Sequence, residues 1–261
     1  DKDPFYTSIL VCQEKIIVLD ISVNKVHIHR QNDGKFLATL DRLGSIPCDM
    51  CLMDARTICV LHKDGLITMV AISSTDMSPV FITTMSLRIQ GLFSRYDGVV
   101  GFNDKLVVSS LKEDTMCWCI VSLDDGHVDA IHKICQLSEW SYVTTRDNII
   151  YISCYAGYKS PDTGVYGFDI LNSNHSKYTY KHQRLEWPTS IVVNEDGDIF
   201  VCNYGLIGVS CIHQLTASCK LVAIFTQGVP WRLTSIFWDH GRLFDTSWGS
   251  NVITVLQPVY Q

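Results

Sequence analysis

No run in this sequence approaches the roughly 18 apolar residues that a membrane-spanning helix needs, and no secretory apolar core opens the chain. A soluble protein with no membrane partner is expected. Charge is sparse as well: Asp, Glu, Lys and Arg make up 18% of the 261 residues, the net charge is −6, and the basic residues are scattered. That leaves no electrostatic footprint for DNA and disfavours RNA. Helical periodicity fails to persist over any window of about 11 residues, which removes α/β arrangements at the first step. Cys48 and Cys51 form a C-x-x-C pair, but a second such pair and a His pair at finger spacing are lacking, so neither a metal nor any other cofactor is expected.

Apolar residues, by contrast, make up 47% of the chain, ample for the core of one large β domain. The eleven cysteines are an odd number and mostly sit inside apolar runs such as "TICVL", "MCWCIV" and "FVCNY". They read as buried free thiols in a reducing compartment, and a cytoplasmic location is expected. The chain opens on Asp1 without an initiator Met and is read as a piece of a longer protein.

Short apolar runs recur after turns: "IIVLD" from Ile16, "ICVLH" from Ile58, "LVVSS" from Leu106, "IYISC" from Ile150, "IFVCN" from Ile199 and "LFDTS" from Leu243, spaced 42 to 49 residues apart. Around them further runs recur, separated by Gly, Asn or Asp. Four short strands at this period predict an all-β fold, a six-bladed β-propeller of four-stranded antiparallel blades in a single domain. The blades are expected at about 8–41, 48–87, 97–135, 140–183, 188–226 and 232–257. The last lacks a strand, so residues 3–7 are expected to close the ring as an N-terminal strand. Each anchor run is apolar at consecutive positions because it is packed between neighbouring blades on both faces. Pro47, Trp140, Trp187-Pro188 and Pro230-Trp231 mark where the chain crosses into the next blade.

With the units aligned, "PTSIVVNEDGDIFVCNYG", "VLDISVNKVHIHRQNDGKFLATL" and "SWGSNVITVL" resemble the NHL repeat. The whole chain resembles the six-bladed NHL propellers that end tripartite-motif (TRIM) ubiquitin ligases and the TRIM-like proteins of molluscs. The Asp that follows the second strand in that pattern is present as Asp20 and is replaced by His62, Ser110, Cys154, Asn203 and Ser247 in the later units. The resemblance implies a non-catalytic domain whose rim loops recognise a protein partner or substrate peptide, with ubiquitin transfer performed by a RING elsewhere. It also implies a monomeric propeller whose parent dimerises through a coiled coil.

Loops after the second strands and the crossings share one rim. Candidate partner-binding residues there are Arg42, Lys63, Arg88, Lys112, Trp140, Tyr155, Tyr158, Lys159, Trp187, Tyr204, Trp231, Arg232 and Trp248. Two other functions are weighed. RNA binding would use basic rim residues with interleaved aromatics, but Asp64, Glu113, Asp114 and Asp162 occupy the same loops. A metal-dependent lactonase-like hydrolase would need ligands such as Glu14, Asn103, Asn148, Asn194 and Asp239 to converge. The acidic run Asn194 to Asp198 reads as a hairpin turn, with Gly197 suited to positive φ. Asp245 stands where five other anchor runs carry Val or Ile, and a local register shift is expected to explain it.

Overall fold

A computed structural model of the chain describes residues 4–41, 43–72, 81–91, 93–136, 139–171, 175–205, 209–226, 229, 232–250 and 252–256, with Phe81 and Thr84 by backbone alone. The first blade contains β1 (Tyr6–Cys12), β2 (Lys15–Asp20), β3 (Lys25–Arg30) and β4 (Phe36–Leu40). The second contains β5 (Pro47–Asp54), β6 (Thr57–His62), β7 (Leu66–Ile72) and β8 (Phe81–Arg88). In the third stand β9 (Arg95–Phe102), β10 (Lys105–Lys112), β11 (Thr115–Ser122) and β12 (Val128–Gln136). The fourth holds β13 (Trp140–Arg146), β14 (Ile149–Tyr155), β15 (Gly164–Asp169) and β16 (Tyr178–Tyr180). The fifth holds β17 (Pro188–Val193), β18 (Ile199–Asn203), β19 (Cys211–Leu215) and β20 (Leu221–Phe225). Among the described residues the sixth has three strands, β21 (Leu233–Asp239), β22 (Arg242–Ser247) and β23 (Ile253–Leu256).

Every sheet is an antiparallel meander, and the first strands pack in sequence, β1 on β5, then β9, β13, β17 and β21, with β21 returning to β1. The protein is therefore a six-bladed β-propeller. Second strands are sealed on both sides: all six residues of β2 are buried, and Val18, Val60, Val108, Ile152 and Val201 have no exposed surface. Each such side chain contributes about 1.5–3 kcal/mol by leaving water, and hydrogen-bonded pairing of both strand edges makes that burial possible. Short turns with positive φ link first to second strands, at Gln13-Glu14 and at His240-Gly241 for example, which suits two-residue hairpins.

Two expectations are corrected. Tyr6 and Thr7 do not join the sixth blade; they begin β1, where Tyr6 pairs with Asp20, because Ile21 N–H donates to the Phe5 carbonyl and holds this stretch to the first blade. Asp3, the start of that proposed strand, and Gln257, the end of the proposed sixth blade, lie outside the described residues. No register shift accompanies Asp245: Ile236 pairs with Asp245 as Ile9 pairs with Val18 and Ile191 with Val201. The bulge after Leu233 matches the bulges after Tyr6, Pro47 and Pro188, so the sixth blade keeps the common register. Asp245 is consequently a fully buried carboxyl in an aliphatic position, and desolvation raises its pKa to about 7.

Candidate functional site: an aromatic mouth on the central channel

Six first strands surround a central channel, a cavity of about 190 Å³ lined by Ser8, Asp49, Tyr142, Ser190 and Ser235 among others. These five and Gly98 occupy the same place in the six blades, each paired with the fourth or fifth residue of its blade's second strand. Their polar atoms tie one blade to the next. Met50 N–H donates to Ser8 Oγ at 3.3 Å, Val99 N–H to Asp49 Oδ2 at 2.9 Å, and Ile236 N–H to Ser190 Oγ at 3.3 Å. Burial pushes Asp49 up to about 7 despite that bond, and pushes Asp97 up to about 6 despite its ion pair with Arg95 at 2.7 Å. Tyr142 projects into the channel, and desolvation, reinforced by Asp49 and Asp97, raises its phenol well above the ordinary value.

At the rim where first strands begin, the channel opens into a second cavity of about 220 Å³, lined by Phe5, Thr7, Ile21, Trp140, Tyr142, Trp187, Thr189, Tyr204, Thr234 and Trp248. Tyr142 lines both cavities. Six aromatic side chains from well-separated parts of the chain thus form one apolar mouth. They hold each other in place: Phe5 stacks on Trp248 at 4.8 Å, Tyr155 on Trp187 at 4.8 Å, and Trp187 meets Tyr204 at 5.1 Å.

In the first, second and fifth blades the residue that ends the second strand clamps the chain entering the blade. Asp20 Oδ1 accepts from Phe5 N–H at 3.2 Å, and Asn203 Oδ1 accepts from Trp187 N–H at 2.9 Å while its Nδ2 donates to the Arg184 carbonyl at 2.8 Å. His62 plays the same part in the second blade, with Nδ1 3.0 Å from the Ser45 carbonyl. The Asp, His and Asn that vary at this repeat position therefore all clamp the chain entering their blade.

Cations stand over the aromatic faces. Lys63 Nζ lies 5.6 Å and the Arg95 guanidinium 4.9 Å from the Trp140 ring, and Arg232 lies 5.3 Å from the Trp248 ring. Of the thirteen rim residues singled out in the sequence, Trp140, Trp187, Tyr204 and Trp248 line the mouth, and Tyr155, Lys63 and Arg232 touch its walls. Arg88 is bound to the Asp64 side chain at 3.1 Å. Tyr158 and Lys159 line a separate depression with Lys181 and Glu186, and Lys112 ends β10 away from the lining. Arg42 and Trp231 lie outside the described residues.

No family model matches this chain. No curated protein matches it either. Solved structures do resemble it: BamB from Moraxella catarrhalis at 17% identity and TM-score 0.53, covering 97% of this chain and 70% of that one. The computationally designed protein Ika8 aligns at 11% identity and TM-score 0.57, over 98% and 72% of the two chains. A chain of a nidogen/laminin complex aligns at 12% identity and TM-score 0.64, over 89% and 84%. At such identities the likeness concerns the fold.

Phe5, Thr7, Tyr142, Thr189, Thr234 and Arg95 are not among the rim candidates that the sequence suggests. A signal exists for three of them: "YTS", "PTS" and "LTS" open β1, β17 and β21, placing Thr7, Thr189 and Thr234 in the mouth and the following Ser in the channel. Glu14, Asn103 and Asn148 occupy hairpin turns at the opposite rim, and Asp239 ends β21 there, in an ion pair with Arg242 at 3.1 Å. In the acidic run, Asn194 Oδ1 accepts from Asp198 N–H at 2.7 Å and Gly197 adopts φ 94°, the geometry of a turn. Among the described residues no three of His, Cys, Asp and Glu stand together to hold a metal ion.

Proposed function

We propose that this chain is a non-catalytic recognition domain that captures a protein partner by inserting one of the partner's apolar side chains into the aromatic mouth. The observation that carries this reading is the convergence of Phe5, Trp140, Trp187, Tyr204 and Trp248 on one cavity of about 220 Å³. Aromatic anchors of this kind dominate the energetics of protein interfaces. Lys63, Arg95 and Arg232 already stand over the rings, so the site favours a neutral or acidic segment over a cationic one. One structural neighbour is a chain of a nidogen/laminin complex, an assembly of proteins. The resemblance of the repeats to NHL units supports substrate recognition for a TRIM-like ubiquitin ligase as the cellular setting, and the eleven cysteines, held as thiols, support a cytoplasmic location.

Panning a random peptide library against the protein tests this. Wild-type protein should enrich peptides with a central apolar or aromatic residue and quench its own tryptophan fluorescence on binding them, and Trp248→Ala should lose both. Equal enrichment by the variant would refute the proposed mouth. Cations over stacked rings also favour single-stranded RNA as a second reading. Retention of an oligouridine on filters with a steep salt dependence would put that reading first.

A further inference from the structure

Cys135 and Cys154 bring their sulfurs within 3.0 Å of each other, one from the outer strand of the third blade and one from the second strand of the fourth. Both side chains belong to the same apolar layer between these blades, Cys154 fully buried within it and Cys135 packed against its edge. Of all eleven cysteines Cys135 alone is not buried. Cys135 follows a bulge opposite Met116 and Cys117, and Cys154 lies opposite Gly164, which has no side chain. An accessible thiol backed directly by a buried one is the arrangement in which a first oxidation product is captured by its neighbour.

We propose that Cys135 and Cys154 are a peroxide-responsive pair that closes to a disulfide between the third and fourth blades. The Cys135 thiolate attacks one oxygen of hydrogen peroxide, the O–O bond breaks, and Cys135 becomes a sulfenic acid with release of hydroxide. Cys154, deprotonated, then attacks the Cys135 sulfur; the S–O bond breaks and hydroxide leaves. The two hydroxides take up the two thiol protons as two waters, so peroxide is reduced and the thiol pair is oxidised. The sulfurs must approach by about 1 Å to reach a covalent S–S distance. The bond closes the crossing into the fourth blade, directly behind Trp140 and Tyr155, which pair with each other across β13 and β14.

Hydrogen peroxide treatment of the intact protein, blocking of remaining thiols with N-ethylmaleimide and non-reducing peptide mass spectrometry read the outcome. Wild-type protein should lose two titratable thiols and yield a peptide pair joined through Cys135 and Cys154, with its melting temperature raised by a few degrees and restored by dithiothreitol. Cys154→Ser should instead leave Cys135 as a sulfenic acid that dimedone traps, and Cys135→Ser should leave Cys154 unmodified. Retention of all thiols, conversion of wild-type Cys135 to a sulfinic acid without a linked peptide, or linkage of a different pair would each overturn the proposal.

Discussion

Asn203 holds Trp187 by its backbone: its Oδ1 accepts from the Trp187 N–H at 2.9 Å, and the indole so placed stacks on Tyr155 of the preceding blade. Asn203 is only 2% exposed, and Asn203→Ala leaves the Trp187 N–H and the Arg184 carbonyl without their partner. A loss of about 1–3 kcal/mol is expected in denaturant unfolding, together with weaker peptide capture.

Trp248 makes the opposite test. It is 41% exposed and contacts Phe5 and Arg232 at the lip of the mouth. Trp248→Ala should reduce affinity for a selected peptide by tenfold or more, on the order of 1.4 kcal/mol, with the melting temperature nearly unchanged. A large melting shift would place Trp248 in the scaffold rather than in the site.

Asp245 makes stability depend on pH. Its folded pKa of about 7 lies above the ordinary carboxyl value, so its contribution is fully present below about pH 4 and is lost as pH rises to about 7. The full penalty is about 4 kcal/mol above that range. Asp245→Asn should therefore be more stable than wild type at pH 8 by roughly 2–4 kcal/mol, the difference shrinking toward zero near pH 4. Urea midpoints across pH measure it, and a pH-independent difference would contradict the assignment.

His213 acts in the other direction. Burial lowers its pKa to about 4, and the neutral ring lies 2.8 Å from the Tyr180 hydroxyl and 3.3 Å from Cys211 Sγ. Its contribution is present above about pH 6.5 and is lost as pH falls toward 4, by about 3 kcal/mol. The difference in unfolding free energy between wild type and His213→Gln should change across this interval; a flat difference would count against it.

Gly98 permits two first strands to approach. A Cβ there would stand 3.0 Å from Tyr142 Cα and 3.1 Å from Val143 N, both backbone atoms. Gly98→Ala should destabilise by about 1–3 kcal/mol, through strain between the third and fourth blades, as read by thermal unfolding.

Much of this architecture is legible along the chain. "IIVLD", "ICVLH" and their repeats announce strands sealed on both faces, because only such strands are apolar at consecutive positions. Trp140, Trp187 and Trp248 can be placed on one rim from strand order alone. Their meeting with Phe5 cannot, since ring closure decides which blade ends adjoin, and the repeat pattern assigns Phe5 to the sixth blade's missing strand. Asp245 misleads in a similar way: its polarity suggests a slipped register, but hydrogen bonding along β21 and β22 keeps the common register and leaves the carboxyl buried.

By itself the sequence determined the number of blades and the apolar anchor strands sealed between them, because these follow from local periodicity and turn chemistry repeated six times. Tertiary structure alone decided the cavity at the channel mouth and the contact between Cys135 and Cys154. Both depend on distances between blades, and those are set by packing across the ring, which no single repeat encodes.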